Sequence, residues 1–185
     1  MQSDGNKKVK WGLDKAHTEI GFKVKHLMVA TLRGWFKDFD ADIVTTGEDF
    51  TTAEVDFWID AASVDTGSVD RDNHVKSADF FDTEHYKQIS FKGNTYIDVD
   101  HDGSYQVHGD LTIKGITKRV VFDAEFGGIL KDPWGNEKAV INVNGNINRT
   151  DWDLNWNTPL EAGGLLVSET VNINCEIQLF KQTTI

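Results

Sequence analysis

Six histidines, at positions 17, 26, 74, 85, 101 and 108, are the residues best suited to metal ligation or proton transfer. None stands in HxH or HxxxH spacing, so a metal would need ligands converging from distant segments. Asp98-Val99-Asp100-His101-Asp102-Gly103 opens like a calcium-binding EF-hand loop. Its twelfth position, however, is Gly109 where a bidentate Glu is required, and no helical period flanks it. A solvated acidic hairpin tip is the expected structure. Cys175 falls mid-strand on an apolar face, where a thiol acts as a small hydrophobe. GxSxG, SxxK and Gly-rich phosphate loops are absent. Carboxylates can pair by chance, since 21 of the 30 acids are Asp. Asn148-Arg149-Thr150 matches a glycosylation sequon by letter only. No enzyme signature emerges, and neither a metal nor a cofactor is expected.

The aromatic residues are more suggestive. Phe22, Phe36, Phe57, Phe80, Phe81, Phe91, Phe122 and Trp152 would project inward or line one mouth of the fold. For any single ring, core packing is the simpler account. Eight together fit an elongated apolar pocket.

The elements that must position these rings are strands, because period-two alternation dominates the chain. Ile20, Phe22, Val24 and His26 share one face, and Val55, Phe57 and Ile59 another. Val107, Gly109, Leu111 and Ile113 follow, then Val120, Phe122, Ala124 and Phe126. Ala139, Ile141, Val143, Gly145 and Ile147 alternate with asparagines, and Val171, Ile173, Cys175, Ile177 and Leu179 form the clearest face. Turns are marked by Asp102-Gly103, by Gly115-Ile116-Thr117-Lys118 and by Pro133-Trp134-Gly135-Asn136. Asp70 to Ala78 lacks alternation and opens with cap-forming acids, which predicts one short helix near 70–79.

These signals predict an all-β fold, a closed antiparallel barrel of about eight strands with one short helix insertion. Closure removes edges, and eight strands enclose room for side chains or one small ligand. Gly34, Ala41, Gly109, Ala124, Ala139 and Gly145 are small inward candidates that would either widen a cavity or mark bends. Residues 11–185 read as one domain after a flexible segment, 1–10.

Composition narrows the partners. The 185 residues carry a net charge of −11, which disfavours nucleic acid as a partner. No apolar run reaches the ~18 residues of a membrane-spanning helix. One cysteine excludes an internal disulfide, and the polar start shows no targeting segment. A cytoplasmic protein, or an exported one whose signal peptide has been removed, fits equally.

Over about residues 9–181 the chain resembles the YceI-like family of lipocalin-fold, polyisoprenoid-binding proteins. The resemblance is carried by Asp14, His17-Thr18, Ile20, Phe22, Val24, His26, Gly34-Trp35-Phe36 and Phe39. It continues through Ser63-Val64-Asp65-Thr66, Arg71-Asp72, His74-Val75-Lys76-Ser77 and Asp79-Phe80-Phe81-Asp82. Ile89-Ser90-Phe91, Gly109-Asp110-Leu111-Thr112-Ile113-Lys114-Gly115 and Asn148-Arg149-Thr150-Asp151-Trp152 complete it. The chain departs from the family at Lys87, where Pro is usual, and at Asp153, where Gly is common.

The resemblance implies a non-catalytic lipocalin-like barrel holding a long isoprenoid, such as a polyprenyl phosphate or a quinone tail, for binding, storage or transport. It implies a periplasmic or secreted bacterial protein and a homodimer. The implied ligand contacts are Phe22, Val24, His26, Phe36, Phe57, Ile59, His74, Phe80, Phe81, Ile89, Phe91, Leu111, Ile113, Phe122, Val143, Arg149, Trp152, Val171 and Ile173. Among them Arg149 and His74 are candidates for a polar head at the mouth. Two other readings stand beside it: an enzyme acting on a prenyl or quinone substrate, and a structural barrel with a filled core.

Overall fold

A computed structural model describes residues 7–98 and 101–184. Residues 1–6, and Val99-Asp100 of the calcium-loop-like stretch, lie outside the described residues. The alternating segments form eleven strands: β1 (Lys8–Leu13), β2 (Glu19–His26), β3 (Ala30–Phe36), β4 (Phe39–Thr46), β5 (Asp49–Asp60), β6 (Val64–Asp65), β7 (Gln88–Asp98), β8 (Ser104–Ile113), β9 (Ile116–Lys131), β10 (Glu137–Asn148) and β11 (Val167–Thr184). Part of the segment expected to be flexible is strand. Strand β1 begins at Lys8, and Val9 is buried, pairing with Thr45 and Thr184.

All ladders are antiparallel. Strand β1 pairs with both β4 and β11, which closes an eight-strand circuit of β1, β4, β5, β7, β8, β9, β10 and β11. The long β11 serves two neighbours. Its Leu179–Thr184 end pairs with β1, and Val167 to Glu176 pair with β2. Strands β2, β3 and β6 thus extend the wall upward from the closed circuit. One α-helix, α1 (Val69–Lys76), contacts β6 at that upper end.

Local chemistry accounts for these boundaries. The Ser68 hydroxyl accepts from the Arg71 amide at 3.4 Å, with Asp70 and Asp72 in the first turn and His74 and Lys76 in the last, matching the helix dipole. The helix ends before the expected 79, because Ser77 is extended and its amide turns back to the His74 carbonyl at 3.1 Å. Between β8 and β9 the tight turn is Lys114-Gly115, at φ 52° and 74°, one residue earlier than the sequence suggests. Asp153 has φ 60°, a left-handed conformation that Gly adopts freely and Asp tolerates.

The break between β1 and β2 is held by a buried polar knot. Lys138 Nζ donates to Asp14 Oδ2 at 2.7 Å, and His17 Nδ1 lies 2.8 Å from the same oxygen. Burial alone would raise the Asp14 pKa, but the hydrogen bonds from Lys138 and His17 outweigh it and hold the carboxyl below its ordinary value. The Asp14 amide also donates to the Gln178 carbonyl at 2.8 Å, so the interrupted strand stays on β11.

The lower end is filled. Trp11 is fully buried, donates from Nε1 to Thr45 Oγ1 at 2.9 Å, and packs at a tilt against Phe50, which packs at a tilt against Phe126. Ring centroids in that pile are 4.9 and 4.8 Å apart. Large side chains with both polar groups and π faces satisfied make a stable floor.

Candidate functional site: an apolar cavity in the barrel

Above this floor the barrel encloses a cavity of about 420 Å³, a size typical of small-molecule sites. Its walls are the predicted inward faces. Phe22, Val24 and His26 come from β2, Phe36 from β3, Phe57 and Ile59 from β5, and Ile89 and Phe91 from β7. Leu111 and Ile113 of β8, Phe122 of β9, Val143 of β10, and Val171 and Ile173 of β11 complete the circuit. His74 of α1, the following Phe80 and Phe81, and Arg149 lie toward the upper end. From Ile20 to His26 the lining of β2 alone covers roughly 20 Å of strand.

Trp152 does not face this cavity. The period-two count fails there because β10 ends at Asn148 and residues Arg149–Trp152 form a 3₁₀ turn. Trp152 is instead core, with its indole N–H donating to the Leu111 carbonyl at 3.0 Å.

The inward glycines make room in the barrel by a specific route. A Cβ on Gly34 would stand 2.3 Å from the Phe22 ring, and one on Gly145 would stand 2.4 Å from Phe122. Each glycine is a seat for a ring. Rings resting on the wall leave the lumen open, and their contacts replace what a side chain would have made.

The upper end carries the polar groups. His74 sits edge-on to Trp156 with centroids 4.6 Å apart, and its Nε2 lies 2.9 Å from Asp79 Oδ2. Arg71 lines the cavity and holds Thr66 through Nε to Oγ1 at 3.0 Å and Nη2 to the carbonyl at 2.6 Å. Arg33 lines the same end.

Arg149 is a correction to the expected head-group role. It is 4% exposed, and its guanidinium donates to the carbonyls of Ser168 at 2.9 Å, Trp156 at 3.0 Å, Val167 at 3.3 Å and Leu154. Burial lowers its pKa from the usual arginine value, with Glu169 opposing. The fork is spent on tying the irregular segment after the 3₁₀ turn to the start of β11.

The lining residues missing from the sequence-based set include Arg71, Tyr96 and Trp156. Trp156 lies in an irregular segment without any period. Tyr96 follows a β-bulge between Gly93 and Thr95, which switches the inward parity from odd to even residues. Its hydroxyl is buried with no hydrogen-bond partner among the described residues, and burial pushes its pKa up to about 12. The Cys175 thiol is likewise pushed up to about 11 by burial, against a weaker backbone hydrogen bond. It is a poor nucleophile. Among the described residues no three His, Cys, Asp or Glu side chains gather to hold a metal, and no helix is long and apolar enough to cross a membrane.

Known proteins share this architecture. The family model for a YceI-like domain matches residues 11–179. A UPF0312 protein of Staphylococcus epidermidis is 37% identical over 170 residues, covering 91% of this chain and 96% of that protein. The crystal structure of the Campylobacter jejuni YCEI protein superposes with a TM-score of 0.71 at 35% identity, over 92% of this chain and 97% of that one. A polyisoprenoid binding domain from Saccharophagus degradans shares the fold with a TM-score of 0.71 at 16% identity, over 93% and 98%. With its barrel, its helix and nearly its whole length accounted for in this way, the chain belongs to the YceI-like domain family.

Proposed function

We propose that the barrel binds one long-chain isoprenoid lipid, a polyprenyl phosphate or a quinone tail, and stores or carries it without chemical change. The observation that supports this best is the cavity itself: a carbon-lined lumen whose upper end carries Arg71 and His74. The Saccharophagus degradans domain with the same fold, named for polyisoprenoid binding, is consistent with it.

The energetics suit such a ligand. Each buried methylene contributes about 0.8 kcal/mol, and ordering a flexible chain takes back much of the sum. A wall of rigid rings therefore selects for the class of chain more than its length. Arg71 and His74 are the groups placed to meet an anionic or polar head, in place of Arg149. An enzymatic reading has less support, because Cys175 and Tyr96 are held protonated and the Ser77 hydroxyl beside the His74–Asp79 pair donates to the His74 carbonyl at 2.6 Å rather than to its ring. We also place the protein in the periplasm or outside the cell, as the family resemblance implies; cell fractionation checks that, and light scattering checks the implied homodimer.

Native mass spectrometry of freshly purified protein, followed by organic extraction, tests the reading. One isoprenoid per chain is expected. Protein that carries no lipid and also refuses added prenyl lipids would make this a filled or protein-binding barrel.

A further inference from the structure

The hairpin joining β2 to β3 differs chemically from the rest of the molecule. Between Ile20 and Lys37 the chain carries Lys23, Lys25, His26, Arg33 and Lys37 and not one acid, in a protein of net charge −11. Its tip is apolar and outward: Leu27, Met28 and Val29 are 49%, 60% and 80% exposed. Leu27 and Met28, in the three-residue loop between the paired His26 and Ala30, also hold φ of 51° and 68°, a left-handed region that Gly and Asn adopt more readily. Neither burial nor turn chemistry explains bulky apolar residues at this place. Strain of this kind concentrates at functional positions.

The tip adjoins the cavity. The Leu27 amide donates to the Leu166 carbonyl at 2.9 Å, and Met28 Sδ lies 2.8 Å from where a Cβ on Gly164 would stand. Leu166, His26 and Leu32 line the lumen directly behind it. Apolar surface is therefore continuous from the exposed tip to the cavity wall.

We propose that this hairpin docks the mouth of the barrel onto an anionic bilayer, with Leu27, Met28 and Val29 entering the interface and Lys23 and Lys25 facing lipid phosphates. Charge selects the orientation. An acidic surface is repelled by anionic lipid, so the approach must come through the stretch that lacks acids. Glu161, in the turn that meets Met28, Glu169 of β11 and Asp65 of β6 oppose it in part, which makes the attachment weak and reversible. The proposal rests on the lipid-binding reading for its purpose but not for its test.

Flotation of the full chain with vesicles of equimolar phosphatidylcholine and phosphatidylglycerol, beside vesicles of phosphatidylcholine alone, decides it. The wild type should float with the mixed vesicles and be released as salt screens the charges. L27N/M28G supplies residues that tolerate positive φ, so it should fold at least as stably while losing about tenfold or more in partition. Lys23→Glu with Lys25→Glu should lose binding to the mixed vesicles. Native mass spectrometry of the same samples separates the readings: protein free of lipid that still floats keeps the docking surface and removes the cargo. Wild type that stays at the bottom, an Asn-Gly tip that floats as well as wild type, or charge reversal without effect overturns the proposal.

Discussion

The Phe91 ring rests on Gly109: a Cβ on that glycine would stand 2.4 Å from the ring's Cζ and 2.6 Å from the Lys92 carbonyl oxygen. With Phe22 on Gly34 and Phe122 on Gly145, the barrel keeps three large rings against its wall and out of its lumen. The small inward residues hold the cavity open by seating rings.

Gly109→Ala therefore has nowhere to put its methyl group without moving Phe91 inward. Overpacking of this kind costs about 1–3 kcal/mol, and the displaced ring should narrow the cavity. Chemical denaturation together with lipid titration reads both effects. Unchanged stability and uptake would show that the wall yields at that point.

Arg149→Lys keeps the charge and loses the fork. With several carbonyls left unpaired in a buried place, the variant should lose about 2–4 kcal/mol of stability. Thermal denaturation measures it. A variant of wild-type stability with weakened lipid binding would return Arg149 to a head-group role.

Asp14 ties stability to acid pH. Its folded pKa lies below the unfolded value, so its contribution is complete above the ordinary Asp pKa and disappears as pH falls through the lowered folded value. Asp14→Asn should be less stable near neutrality by about 1–3 kcal/mol, with Lys138 left poorly compensated. Its stability should also fall less steeply below about pH 4 than that of the wild type. Denaturation across an acid pH series reads both, and parallel curves would remove Asp14 as the linked group.

Tyr96→Phe removes a buried hydroxyl that has no hydrogen-bond partner among the described residues. In protein stripped of lipid the change should stabilise the fold by about 1 kcal/mol, because an unsatisfied buried group costs about that much or more. With the pKa pushed up to about 12, the hydroxyl stays neutral at ordinary pH and can donate only to a bound molecule. A loss of stability in the stripped variant would mean that the hydroxyl is already satisfied.

The barrel was legible in the sequence because one face of nearly every strand repeats at period two, as Val171, Ile173 and Cys175 do against Asn172, Asn174 and Glu176. The cavity walls followed from the same parity. What the sequence hid lies where parity breaks. A bulge brought Tyr96 inward, a 3₁₀ turn moved Trp152 from lumen to core, and residues 149–166 placed Trp156 at the mouth without any period to announce it. Arg149 shows a second limit: its motif was visible, but its neighbouring carbonyls come from residues up to nineteen positions away. Closure through β1 was equally invisible, since its two partners lie at distant points of the chain.

The central claim is that the lumen takes up one isoprenoid chain. The most direct measurement is titration of lipid-stripped protein with a long-chain polyprenol, comparing the wild type with Val143→Trp and Ile173→Trp, which fill the cavity from the adjacent strands β10 and β11. Saturable binding near one per chain in the wild type, lost in folded filled variants, is the predicted result. Equal uptake by wild type and filled variants, or no uptake by the wild type, would contradict it.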